Sequence, residues 1–249
     1  MASTQVFFGI GNLITTRTDV ANSTPVSFGV VQDCEIDFDF TNKDLIGQYQ
    51  FPVDVARAAG KITGKAKVAN FLARGINDSF FGGTLGAGTG GTAFSALENH
   101  AIPAVSTYTV TVTNSATFVA DQGVFYAATG VPLIQVASVA AAGQYSVAAG
   151  VYTFYSADEG KSVNINYTYT ISTGASLITI NNQLQGTSPV FSVMLSTPYK
   201  GNTLTLTLPA AISTKLTFPF KNTDYAISDF EFQAYANAAG NVANITLTQ

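Results

Sequence analysis

The chain has 249 residues and a mass of 26.0 kDa, room for one large domain or one domain with an insertion at about 100–200 residues per domain. Charged residues make up 10% and hydrophobic residues 47%, a balance that excludes a disordered chain, because disorder needs low hydrophobicity and high net charge. With 11 basic and 15 acidic residues the net charge is −4, so the electrostatic footprint of a nucleic-acid binder is missing. The single cysteine, Cys34, excludes an internal disulfide, and the single histidine, His100, leaves little for zinc or Ser-His-Asp chemistry. A surface this poor in charge either stays soluble through Ser, Thr, Asn and Gln or is covered by something.

The opening residues MASTQVFFGIGNLITTRTD lack a basic stretch followed by an apolar core, so no signal peptide is expected and synthesis in a cytoplasm is. No run approaches the ~20 apolar residues of a membrane span, so no membrane insertion is expected. The Asn-x-Ser/Thr triplets at Asn22, Asn77, Asn166 and Asn244 are then chance matches.

Residues 28–40, FGVVQDCEIDFDF, alternate. Phe28, Val30, Cys34, Ile36, Phe38 and Phe40 share one face, and Asp33, Glu35, Asp37 and Asp39 share the other, as on a half-buried strand with an acidic outer face. Residues 61–68, KITGKAKV, place Lys61, Lys65 and Lys67 on one face with Thr63, and Ile62, Ala66 and Val68 on the other. Neighbouring strands of opposite charge attract by roughly 0.2–1 kcal/mol per pair. Either these two strands pair and neutralise each other, or the acidic stripe faces something else. Between them, Gly47 and Pro52 interrupt residues 45–60, which read as a long loop or an irregular hairpin, and long loops are often functional.

Residues 70–81, NFLARGINDSFF, are the one good helix candidate. Asn70 is the expected N-cap, Gly82-Gly83 the stop, and Phe71, Leu72, Ile76 and Phe80 the packing face. Gly75 inside it implies a close contact. The glycine-rich stretch 83–92 carries Gly86, Gly88 and Gly91 at G-x-G-x-x-G spacing but follows a helix rather than a strand, so it reads as a loop and not as a dinucleotide site. From about 104 to 172 the pattern is almost wholly β, as in Val163, Ile165, Tyr167, Tyr169 and Ile171, with turns at Gly130, Gly143, Gly150 and Asp158-Glu159-Gly160. Alternation returns at 203–208 and 229–235, and a last strand follows Gly240-Asn241. The expected fold is mainly β (α+β), an antiparallel sandwich or barrel with one flanking helix.

No catalytic set emerges. A serine nucleophile needs a positioned base, no G-x-S-x-G is present, and Cys34 alternates with apolar residues as an inert buried thiol does. His100 reads as a plain surface or interface residue. Carboxylates at i and i+2 on a strand stand about 7 Å apart, too far for the oxygen cage of calcium. No enzyme activity, cofactor or metal is expected.

Two stretches carry a resemblance: KDLIGQYQFPVDVARAAGKITGKAKVANFLARGINDSFFGG at 43–83 and LPAAISTKLTFPFKNTDYAISDFEFQAYANAAGNV at 208–242. Both resemble tail tube (major tail) proteins of bacteriophages. The segment AAGQYSVAAGVYTFYSADEGKSVNINYTYT at 141–170 resembles one common in phage structural proteins. The resemblance implies a β-sandwich core at 1–103 and 173–249 and an inserted β-rich subdomain at 104–172, on the outer surface. It implies hexameric rings stacked into a tube, with other tail proteins (tape measure, terminator and distal tail components) as partners. Double-stranded DNA would pass without specific binding during ejection, and the virion tail would be the location. Asp33, Glu35, Asp37 and Asp39 become candidates for the lumen, and Gly47, Tyr49, Phe51, Pro52 and Arg57 for the inter-ring loop. A phage decoration or fibre-type module binding a surface or glycan through 104–172 is the second reading. A secreted adhesin or pilin-like subunit is the third, disfavoured by the missing signal.

Overall fold

In a computed structural model of the protein, residues 6–88 and 90–248 are described. The fold is mainly β, with 52% of residues in strands and 6% in helices. In chain order the strands are β1 (Asn12–Arg17), β2 (Val26–Phe28), β3 (Val31–Ile46), β4 (Pro52–Val68), β5 (Gly86–Gly88), β6 (Thr92–Ala101), β7 (Thr109–Thr111), β8 (Phe118–Tyr126) and β9 (Ile134–Gln135). There follow β10 (Gln144–Ala148), β11 (Val151–Phe154), β12 (Ser162–Thr170), β13 (Ala175–Leu177), β14 (Phe191–Tyr199), β15 (Asn202–Leu216), β16 (Ser228–Ala234) and β17 (Asn244–Leu247). The short helix α1 (Ala73–Ile76) runs on as a π-helical turn, Asn77–Phe81.

The chain forms two compact units. One comprises the chain up to Leu85 and from Ile178 onward. The other is Gly86–Leu177.

The first unit is one antiparallel sheet in the order β2-β1-β14-β15-β16-β4-β3, with β17 also paired to β15. Its two edges, β2 and β3, are separated in sequence only by Gly29 and Val30, a step that spans roughly 11 Å at most. The sheet must therefore curl until its edges meet. Phe28 on β2 accordingly stacks on Phe230 of β16 at 5.5 Å, and the Val30 carbonyl accepts the Ala69 N–H just beyond β4. Inside the curl lie Leu13, Phe28, Ala66, Val68, Phe191, Val193, Leu208, Phe230 and Phe232. The close-packed heart of this core is Gly64, which pairs with Phe232 on one side and Ile36 on the other. The Phe232 ring lies across it, and a Cβ there would stand 2.1 Å from the ring. Glycine is what lets the aromatic ring enter.

The helix differs from its expectation. It begins at Ala73, after Phe71 and Leu72, and its N-cap is Leu72 with no side-chain cap bond. Asn70 serves the sheet corner instead, its Oδ1 accepting the Val30 N–H at 3.4 Å. Phe71 and Leu72 are therefore 47% and 40% exposed, while Phe80 packs on the core, with its ring 5.2 Å from Phe230. Ile76 lies between them, half-buried. Gly75 is buried against Val26 and Phe28, and Gly82 ends the turn in the left-handed conformation.

The second unit is a small sandwich. Sheet β6-β12-β8 faces sheet β7-β11-β10-β9 across Val110, Val124, Tyr145, Tyr152, Phe154, Val163, Ile165 and Tyr167. It starts at Gly86 rather than at 104 because β6 pairs along β12, and it extends to Leu177 because β5 pairs with β13. The glycine-rich stretch is thus partly strand rather than loop; Thr89 within it lies outside the described residues. The buried tyrosines bring hydroxyls into an apolar core, and each such group needs a partner. Carboxylates supply them. Asp121 accepts from Tyr145 at 2.5 Å and Tyr152 at 2.8 Å. Glu98 accepts from Tyr167 at 2.5 Å and from the Thr113 N–H and hydroxyl at 2.8 and 2.9 Å. Fully buried Asp158 takes Tyr126, the Gly143 N–H and Lys161. Burial alone would raise the Glu98 carboxyl, but the bonds from Tyr167, His100 and Thr113 outweigh it and hold the group at about 2.

Two expectations follow. Gly64→Ala forces the Phe232 ring out of place and lowers stability by about 1–3 kcal/mol, the scale of overpacking, read as a lower urea midpoint. Glu98 has a depressed carboxyl, so its contribution is present above its ordinary value near 4.5 and is lost as pH falls toward 2. Glu98→Gln should reduce stability at pH 7 by about 1–3 kcal/mol and flatten the acid limb of a stability–pH curve.

Candidate functional site

The β3–β4 ladder is the feature that the rest of the first unit does not enclose. Its lower half belongs to the curled sheet: β4 residues Ile62–Val68 pair with β3 on one side and with β16 on the other. The charged faces meet in register. Asp33 and Asp229 flank Lys67, Glu35 and Glu231 flank Lys65, and Asp39 stands across from Lys61. Lys67 lies 3.8 Å from Asp33, and Lys215 on β15 lies 3.2 Å from Glu231. The complementary strands thus pair, and the acidic stripe is largely matched by lysine. Asp37 is the exception: across from it stand Thr63 and, beyond, Gln233. Six carboxylates against four lysines leave this face negative. A shallow groove of about 320 Å³ opens there, lined by Asp37, Lys61, Lys65, Glu231 and neighbours. All four stripe residues therefore share one face of β3, and that face is outside the core.

Above Ile62 the ladder continues without the sheet. Residues 39–46 and 52–61 remain paired across the hairpin. Among the described residues no other strand flanks this portion. At about 3.3 Å per residue it projects roughly 25 Å. Residues 45–60 thus form the irregular hairpin rather than the long loop, with register shifts along it, and Pro52 sits at the first residue of β4, where the missing N–H does no harm. Phe38 and Phe40 lie on the same face as Cys34 and Ile36 yet are 43% and 44% exposed, because β16 ends at Ala234 opposite Ile62 and their cover runs out. Toward the tip, Leu45, Ile46, Tyr49, Phe51, Val53 and Val55 are 53–80% exposed. From Leu45 to Val53 the tip carries no charged residue, and exposed apolar side chains stand on both strands. Arg57 lies with its guanidinium 4.1 Å above the Phe40 ring, and Gly47 and Tyr49 belong to the turn region between the strands. Where the arm leaves the sheet, a cleft of about 490 Å³ opens between Phe40, Gly60 and Ile62 and the Ala234, Tyr235 and Val242 side.

The remaining reactive residues are occupied or inert. Burial pushes the Cys34 thiol up to about 11, with Asp33 beside it adding to the rise. His100 lies in β6, with Nε2 2.7 Å from Glu98. Among the described residues no three His, Cys, Asp or Glu side chains gather as a metal would need. Sequence reasoning missed the exposed aromatics of the loop after β15, Phe218, Phe220 and Tyr225. The signal was their density in TFPFKNTDY, a loop that is not obviously hydrophilic.

Lys65 sits between two carboxylates and is the natural test of the charge ladder. Lys65→Glu places like charges across both neighbouring strands and should lower stability by about 1 kcal/mol. The loss should shrink when denaturation is repeated at high salt, because exposed charges are screened.

No protein-family model matches the chain, and no curated protein matches it.

Proposed function

We propose that this protein is a structural, non-enzymatic subunit of a bacteriophage tail tube, self-assembling into stacked hexameric rings that form the conduit for genome ejection. The observation that carries this reading is the β3–β4 arm. A two-stranded hairpin is at best marginal alone in water, and exposed apolar edges invite pairing with other chains. An arm whose uncharged tip exposes Leu45, Ile46, Tyr49, Phe51 and Val53 is built to be enclosed by neighbours. Those neighbours are identical chains in this reading, and a heterologous contact that closes makes a ring. The low charge content supports it too, since most of the outer surface would be buried on assembly.

The face bearing Asp33, Glu35, Asp37 and Asp39 suits a channel wall. DNA affinity comes from lysine and arginine neutralising phosphates, and here each lysine is already opposed by carboxylate, with Asp37 left over. Such a wall repels a duplex mildly and holds it nowhere. Tape measure, terminator and distal tail proteins are the further partners, and the virion tail is the location. Among the described residues no helix is long and apolar enough to cross a membrane.

Negative-stain microscopy of the purified protein tests the reading. The wild-type chain should form tubes at high concentration. A Tyr49→Ser, Phe51→Ser double variant should keep its circular dichroism and melting temperature, because both residues are 75–80% exposed, yet should fail to elongate. A wild-type chain that stays monomeric at every concentration sinks the proposal, and glycan binding by that monomer would favour the decoration or fibre module.

A further inference from the structure

The second unit carries a groove of a different kind on the outer face of the sheet β7-β11-β10-β9. Thr109 of β7, Thr153 of β11 and Ser146 of β10 stand opposite one another in register. Thr153 lies between buried Tyr152 and Phe154, so this row faces away from the core. Tyr155 follows in extended backbone. A groove of about 430 Å³ opens there, within the roughly 300–1,000 Å³ of small-molecule sites. Seven of its ten lining residues carry a hydroxyl, and none is charged. Among the described residues, the hydroxyls of Tyr108, Ser138, Ser146, Thr153, Tyr155 and Ser156 bond to no other protein group. The core tyrosines of the same unit differ, since Tyr145, Tyr152 and Tyr167 each bond to a carboxylate.

The walls of the groove are fixed in advance. Thr107 and Tyr108 both have positive φ, 101° and 44°, a conformation that a β-branched residue rarely adopts. The Tyr108 N–H donates to the Val105 carbonyl and the Tyr108 carbonyl accepts the Phe154 N–H, each at 3.0 Å. The Thr107 and Thr109 hydroxyls lie 3.2 Å apart. On the other rim Gln144 Oε1 accepts the Ala140 and Ala141 N–H groups at 2.9 and 3.1 Å, which holds the loop that brings Ser138. Backbone strain persists only where its surroundings over-determine it, and it clusters at ligand clamps. We infer that this groove binds a neutral oligosaccharide. Sugar hydroxyls donate and accept hydrogen bonds, as the groove's hydroxyls do, and Tyr155 offers an apolar ring with a polar tip. An ion finds no opposite charge there, and a purely apolar ligand would strand the hydroxyls. The inference does not rest on the tail tube reading, because the groove belongs to the second unit alone.

Calorimetric titration of the full-length protein with maltohexaose, mannohexaose and chitotetraose tests it. At least one of the three should bind, with the same affinity at low and high salt, because no charge takes part. A galacturonate hexamer, the charged control, should not bind. Tyr155→Ala should weaken binding roughly tenfold, the scale of an aromatic contact. Thr107→Gly should weaken it about fivefold, the scale of one hydrogen bond. The same variant should raise the melting temperature, because glycine adopts positive φ without strain; a merely structural threonine would not separate the two readouts. Binding of none of the three, preference for galacturonate, or unchanged affinity in both variants overturns the inference. Tubes that bind no saccharide overturn it and leave the tail tube reading standing. Saccharide binding that both variants weaken, in a chain that never forms tubes, upholds it and removes that reading.

Discussion

The β3–β4 ladder is longer than the sheet that holds it, and most of the molecule's character follows from that mismatch. Antiparallel hydrogen bonds run from Val31 to Ile46 on one strand and from Pro52 to Val68 on the other. Only Ile62–Val68 finds a third strand. The two strands stay paired to each other along the whole ladder, but a third strand and a covered face are found in its lower half alone. The arm therefore draws its order from its root, where Phe232 lies across Gly64 and Phe230 joins Phe28 over the curl. That root works only because Gly29 and Val30 bring the two sheet edges together.

Charge is spent sparingly and with a local purpose. In the first unit it aligns strands: three lysines of β4 face carboxylates of β3 and β16 in register. A shift of β4 by one residue would turn those lysines into the core. In the second unit carboxylates go inside, where Asp121 and Glu98 receive tyrosine hydroxyls and Asp158 a tyrosine and a lysine. Large aromatic residues can then fill the sandwich without stranding their polar ends. The tip of the arm from Leu45 to Val53 carries no charge at all, and its apolar side chains are left without cover.

Much of this was legible along the chain. The alternation in FGVVQDCEIDFDF and KITGKAKV identified two strands with opposite charged faces, and they pair. The helix starts later than the Asn70 cap signal implies, because the Asn70 side chain is recruited by Val30 at the sheet corner. Phe71 and Leu72 matched helical spacing with Ile76 and Phe80 but precede the first helical residue, and so they face outward. The second unit, Gly86–Leu177, is wider than the alternation at 104–172 implies, because Thr92–Ala101 carries little alternation. Its strand character comes from pairing with β12, where a bulge is held by the Asn166 side chain on the Leu97 N–H at 2.7 Å.

What the sequence alone determined is the class of each segment: period-2 alternation, turn glycines and charge pattern act between near neighbours. They specify strands, faces and matched signs without reference to the rest of the chain. What only the tertiary structure decided is where cover ends. Phe38 and Phe40 read like Cys34 and Ile36, but β16 stops opposite Ile62, and a core face becomes an exposed one within two residues. Burial depends on the length of a strand that arrives far later in the chain. No local pattern records it, and it is the property that turns a loop between two strands into an arm.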